Sequence, residues 1–178
     1  MAIKGEKAEH RAGRALGMLR LGGLLACVWL SGCGATTASV SNPFHTSAAH
    51  AHVGQQVHLG SLWIATMSSV ATQTSVEGQS AAGGETFLVV MAAFKNVSTS
   101  AQTLYTAATV VLQDAADHRY AQANVATTPA VDGIVGAGQT SAGPLYFQVP
   151  STQRSFELAY QGLDAGDGTA VWDLTLPS

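Results

Sequence analysis

The segment TFLVVMAAFKNVS, Thr86 to Ser98, decides the fold class. It is the most apolar stretch beyond the N-terminal region. Gly83-Gly84 precede it and polar residues follow it. A short, nearly unbroken apolar run of this kind reads as a strand at the centre of a sheet, buried on both faces. Working outward, shorter runs alternate apolar and polar residues between turn signals. Upstream, QQVHLG places Val57 and Leu59 on one face, and SLWIATMSSV follows Gly60 as a continuing or bent strand. TQTSVEGQSAAGGE, Thr72 to Glu85, has the composition of a loop.

Downstream, TLYTAATVVLQD and RYAQANV flank AADH, which reads as a hairpin turn. AVDGIVGAGQ is Gly-rich and loop-like. TSAGPLYFQVP puts Leu145, Phe147 and Val149 on one face, with Tyr146 and Gln148 on the other. SFELAYQG groups Phe156, Leu158 and Tyr160, and TAVWDLTL groups Ala170, Trp172, Leu174 and Leu176. No segment after residue 34 carries a helical period with caps. Seven or eight strands at a spacing of about 8–15 residues imply an all-β fold, a single antiparallel β-sandwich. An eight-stranded barrel is the alternative, and the strand order stays open.

The blocks HVGQQVHLGSLWIATMSSV, GGETFLVVMAAFKNVSTSAQTL, VVLQDAADHRYA and VGAGQTSAGPLYFQVPSTQRSFELAY resemble, in order, an immunoglobulin-like extracellular domain of unknown function from Gram-positive and actinobacterial lipoproteins. Lys95-Asn96, Asp114 with Tyr120, Gly136 with Gly138, and Phe147 with Pro150 occupy the places of its recurring residues. The resemblance spans roughly residues 53–176. It implies an immunoglobulin-like sandwich outside the cytosol and brings no catalytic residues with it. One departure is Asp117-His118, where that family commonly has a Gly.

The N-terminal region differs in kind. Lys4, Lys7, Arg11, Arg14 and Arg20 are five of the eight basic residues of the 178-residue chain. From Cys33 onward, three bases face nine acids, a formal balance of −6. An acidic body argues against nucleic acid, which binds through Lys and Arg that displace counterions. After the basic stretch comes LGGLLACVWLSG, Leu21 to Gly32, which has the length of a signal-peptide apolar region. Spanning a bilayer takes about 20 apolar residues. Leu30-Ser31-Gly32-Cys33 resembles the lipobox of bacterial lipoproteins. That resemblance implies cleavage of residues 1–32, a diacylglyceryl thioether on Cys33, and a lipid-anchored protein on the extracytoplasmic face of the cell membrane. Two acyl chains anchor durably where one does not. With Cys27 removed and Cys33 lipidated, no thiol is left for a disulfide, catalysis or metal. Residues 33–52, small and polar with Pro43, then read as a disordered tether, and 53–178 as the sandwich domain.

Few residues carry chemistry. His45, His50, His52 and His58 lie within fourteen positions, and imidazole is a good ligand for Zn2+ or Cu2+. Three of them fall in the expected tether, where closing a site costs chain entropy. DAADH and DAGDG pair acids but lack the alternating oxygens of a calcium loop, so both read as turns. No Gly-x-Ser-x-Gly occurs, and GIVGAG is not followed by a helix. Tyr105, Tyr146 and Tyr160 offer a possible contact platform. These features point to a non-enzymatic binding module at the cell envelope, its partners the membrane through the lipid and an envelope protein or glycan, with no cofactor. The alternative is a metal-handling lipoprotein using the His-rich segment. An envelope hydrolase ranks behind both.

Overall fold

The computed structural model describes residues 50–125, 131–163 and 167–177. The strands are β1 His50–His52, β2 Gln56–Leu59, β3 Trp63–Gln73, β4 Ser75–Val76, β5 Gln79–Ser80 and β6 Glu85–Asn96. After β7, Gln102–Leu104, one helical turn, α1 Thr106–Thr109, leads into β8 Val110–Asp114 and β9 Arg119–Tyr120. The remainder is β10 Gly133–Val135, β11 Thr140–Pro150, β12 Ser155–Gln161 and β13 Thr169–Thr175. One sheet has the order β11-β6-β3-β2 and the other β1-β13-β12-β8-β9. The small pairs β4-β5 and β7-β10 stand apart. The structure is thus an antiparallel β-sandwich of two open sheets and not the alternative barrel; β1 alone among these strands pairs in parallel, with β13.

The inward faces follow the sequence period closely. Trp63, Ala65 and Met67 of β3, Leu88, Val90, Ala92 and Phe94 of β6, and Leu145, Phe147 and Val149 of β11 meet Phe156, Leu158, Tyr160, Ala170, Trp172 and Leu174 of the opposite sheet in one core. Fully burying such side chains stabilises by about 1.5–3 kcal/mol each before entropy is counted. A bulge at Ser68 shifts the register of β3 against β6, from Met67 opposite Ala92 to Ser69 opposite Met91. That extra residue changes the inward parity, so Val70 takes the next core position. Asn96 ends β6. Its side chain donates to the carbonyls of Ser100 (2.7 Å) and Val135 (2.9 Å) and accepts from the backbone and hydroxyl of Ser98.

Several expectations change. β6 lies centrally, between β11 and β3, but only Thr86–Val90 is buried on both faces. There the β4-β5 hairpin brings Val76 onto Phe87, Val89 and Tyr146 in a second cluster. Beyond it Met91 and Lys95 are exposed. The segment Thr72–Glu85 is therefore part strand and part hairpin, turning at Glu77-Gly78, both with positive φ. SLWIATMSSV does not continue β2 but folds back on it, Leu59 opposite Trp63. TLYTAATVVLQD divides into β7, α1 and β8, because Asp132 accepts from the Thr106 backbone and hydroxyl at 2.7 Å and turns the chain there. GIV inside the Gly-rich stretch pairs with β7. The expected boundary at residue 53 also moves upstream. His50–His52 is a strand with Ala51 1% exposed, so the domain includes residues assigned above to the tether.

Candidate functional site

Alternation sends Phe156, Trp172 and Ala51 inward, and therefore sends Glu157, Asp173, His50 and His52 to the outer face of the five-stranded sheet. The register lines up His52, Asp173, Glu157, Gln113 and Arg119 across all five strands. Along this row, Arg119 Nε donates to Gln113 Oε1 at 3.4 Å, and Gln113 Nε2 donates to Asp117 Oδ1 at 2.7 Å. His50 Nδ1 lies 2.7 Å from Asp173 Oδ1. This hydrogen bond holds the His50 pKa above its ordinary value; burial works against it, and the charges of Asp173 and then Glu157 add to the rise. One donor atom each from His50, Glu157 and Asp173 fall within 4.8 Å of one another. An open groove of about 790 Å³ adjoins them, lined by His52, Gln113, Asp117, Glu157 and Asp173 among others.

The row ends near a second polar centre, the β8-β9 turn. Asp114 is 7% exposed. Its Oδ1 accepts the backbone N–H of Ala116 (2.8 Å) and His118 (3.0 Å); its Oδ2 accepts the Tyr120 hydroxyl at 2.8 Å and lies 3.1 Å from His118 Nδ1. Burial alone raises the Asp114 pKa, but these donors, Tyr120 foremost, outweigh it and hold the carboxyl below its ordinary value. Burial and then the Asp114 bond push the Tyr120 phenol up to about 12. DAADH is thus a turn built around its first acid. Asp117 takes φ +64, the left-handed conformation that Gly adopts without cost. The departure from the family's Gly is accommodated by an Asp, a residue that tolerates this region.

Residues 51–171 match the family model described as a domain of unknown function, DUF4352. The chain belongs to this family. DUF4352's fold is shared by solved structures of low identity. A Bacillus subtilis protein titled "putative lipoprotein (ycdA)" aligns at 15% identity with a TM-score of 0.56, over 66% of this chain and 38% of its own. The chain therefore spans about two fifths of that protein's length. The secreted protein MPT63 of Mycobacterium tuberculosis aligns at 17% identity and TM-score 0.53, over 71% of this chain and 99% of its own. The yjhA protein of Bacillus subtilis aligns at 12% and 0.51, over 72% and 100%. No curated protein matches. Of the residues that carry the resemblance in the sequence, Asn96, Asp114, Tyr120 and Phe147 are occupied with hydrogen bonding or core packing. Gly138, at φ +72, donates its N–H to the Asn96 carbonyl and turns the chain into β11.

The histidine candidates separate. Cys33, the Leu30–Cys33 lipobox and His45 lie outside the described residues. His50 and His52 sit on β1, whereas His58 sits on β2 of the other sheet. The His-rich segment is therefore not one site. Glu157 and Asp173, the partners that His50 does have, were missed, because Asp173 is 123 residues away in sequence. The alternation around Phe156 and Trp172 already marked both acids as outward-facing; only the pairing of β1 with β13 places His50 beside them. The tyrosine platform is corrected too. Tyr146 and Tyr160 are 7% and 1% exposed, the latter packed on Phe94, and Tyr105 alone is open. DAGDG falls in the β12-β13 connection, with residues 164–166 outside the described set.

Proposed function

We propose that this protein is a lipid-anchored, extracytoplasmic, non-enzymatic binding module that works at the cell envelope. The observation that carries this reading is Leu30-Ser31-Gly32-Cys33 at the close of an apolar run behind a basic N-terminus. Support comes from two structural neighbours, one described as a "putative lipoprotein" and one as a secreted protein. Anchoring near the membrane raises the local concentration of the outer sheet face toward other envelope components, so modest contacts suffice. The partner class is an envelope protein or a glycan.

The test is to express the intact chain with and without globomycin, beside Cys33→Ser, and to follow it by membrane fractionation and mass spectrometry. A diacylated Cys33 N-terminus, with unprocessed precursor under the inhibitor and loss of lipid in Cys33→Ser, is the expected result. Unchanged processing under globomycin, or a lipid mass still carried by Cys33→Ser, would overturn the anchor. Photo-crosslinking from the Glu157 and Arg119 positions in cells then identifies what the sheet face meets.

A further inference from the structure

We propose that His50, Glu157 and Asp173 form a binding site for a divalent transition-metal cation, with Zn2+ as its representative. The three residues stand on three hydrogen-bonded neighbours, β1, β13 and β12, so the backbone fixes their spacing before any ion arrives. Their donor atoms already converge within 4.8 Å, and the His50–Asp173 pair is at 2.7 Å. Replacing the shared proton by a cation with bonds of about 2.0–2.2 Å requires only rotamer adjustment.

The donor chemistry selects the ion. One imidazole and two carboxylates suit Zn2+ and its first-row neighbours, whereas Ca2+ takes six to eight oxygens. Three protein ligands leave a position open toward the adjoining groove, where His52 and water have access. Glu157 and Asp173 are register partners on adjacent strands, with His50 beside them, so two carboxylates and one imidazole share one spot. The nearest arginine in the same row, Arg119, lies two strands from Glu157 and is engaged with Gln113.

Binding would have a structural consequence. Among the described residues, β1 has three residues and pairs with β13 alone. A cation held by His50, Glu157 and Asp173 would tie this first strand to two strands from the far end of the chain. The proposal is independent of the lipid anchor, so membrane fractionation and metal titration fail separately.

The experiment is calorimetric titration of ZnCl2 into the full chain in detergent, comparing the wild type with His50→Ala, Glu157→Gln, Asp173→Asn and His58→Ala. One equivalent at micromolar affinity or tighter is expected, weakened tenfold or more by each of the first three changes and untouched by His58→Ala. Co2+ substitution gives a visible d–d spectrum that His50→Ala abolishes. In the unsubstituted protein, Zn2+ slows amide exchange at Ala51, a readout that needs no variant to fold. No binding, binding retained in both His50→Ala and Asp173→Asn, dependence on His58, or unchanged exchange at Ala51 would each overturn the site.

Discussion

Single residues decide how the turns of this sandwich close. Asn96 is fully buried and uses both its amide hydrogens and its oxygen to hold the segment between β6 and β7 against β10. Asn96→Ala leaves two carbonyls and a backbone N–H without that partner, and a loss of about 3 kcal/mol is expected from urea unfolding. At Asp117 the left-handed φ matters. Asp117→Val should cost about 1–2 kcal/mol, since β-branched residues are strained there. Asp117→Gly relieves strain but loses the bond to Gln113, so its midpoint should stay close to the parent's. The Asp114–Tyr120 pair contributes to stability at both ends of the pH range. The folded Asp114 pKa is depressed below 3.8, so its stabilisation is present above that pH and is lost as the pH falls through the lower folded value. Tyr120 is raised from 10 to about 12, so its contribution is present below pH 10 and disappears as the pH rises toward 12. Ultraviolet titration of the phenol should show the late-ionising tyrosine, returning toward 10 in Asp114→Asn.

At the scale of elements, the connections do as much as the strands. The β12-β13 connection returns through Gly168, where a Cβ would lie 2.3 Å from the Gly60 backbone nitrogen in the β2-β3 turn. Both partners there are main chain and cannot move aside cheaply. Gly168→Ala should therefore destabilise by about 2 kcal/mol, read as a lowered thermal midpoint. The outer strand β11 carries Pro144 within its length, opposite Met91 of β6. A proline offers no N–H, and the Gln122 bridge to Phe147 covers the edge further along, so β11 resists pairing with a second copy. The bulge at Ser68 belongs to this scale as well. It was not legible in WIATMSSVATQ, because nothing in that alternation marks which residue will be left unpaired.

For the whole molecule, the parallel docking of β1 on β13 extends the domain upstream of Val53. A chain shortened to start at Val53 lacks Ala51 from the core and leaves the β13 edge open. It should unfold at a lower temperature than one starting at Ser39, by the equivalent of about 1–3 kcal/mol, and should have lost the His50 ligand with it. Calorimetric unfolding of the two chains checks this.

The sequence by itself determined the β-sandwich class, the inward and outward faces of the longer strands, and the turn character of DAADH. These depend on period and local conformation, which are properties of neighbours along the chain. The tertiary structure alone decided that β1 is a strand, that His50 faces Asp173 and Glu157, and that His58 does not join them. A three-residue segment has too little periodicity to announce itself. Its conformation is fixed by hydrogen bonds to a strand more than a hundred residues away, and no local pattern encodes that pairing.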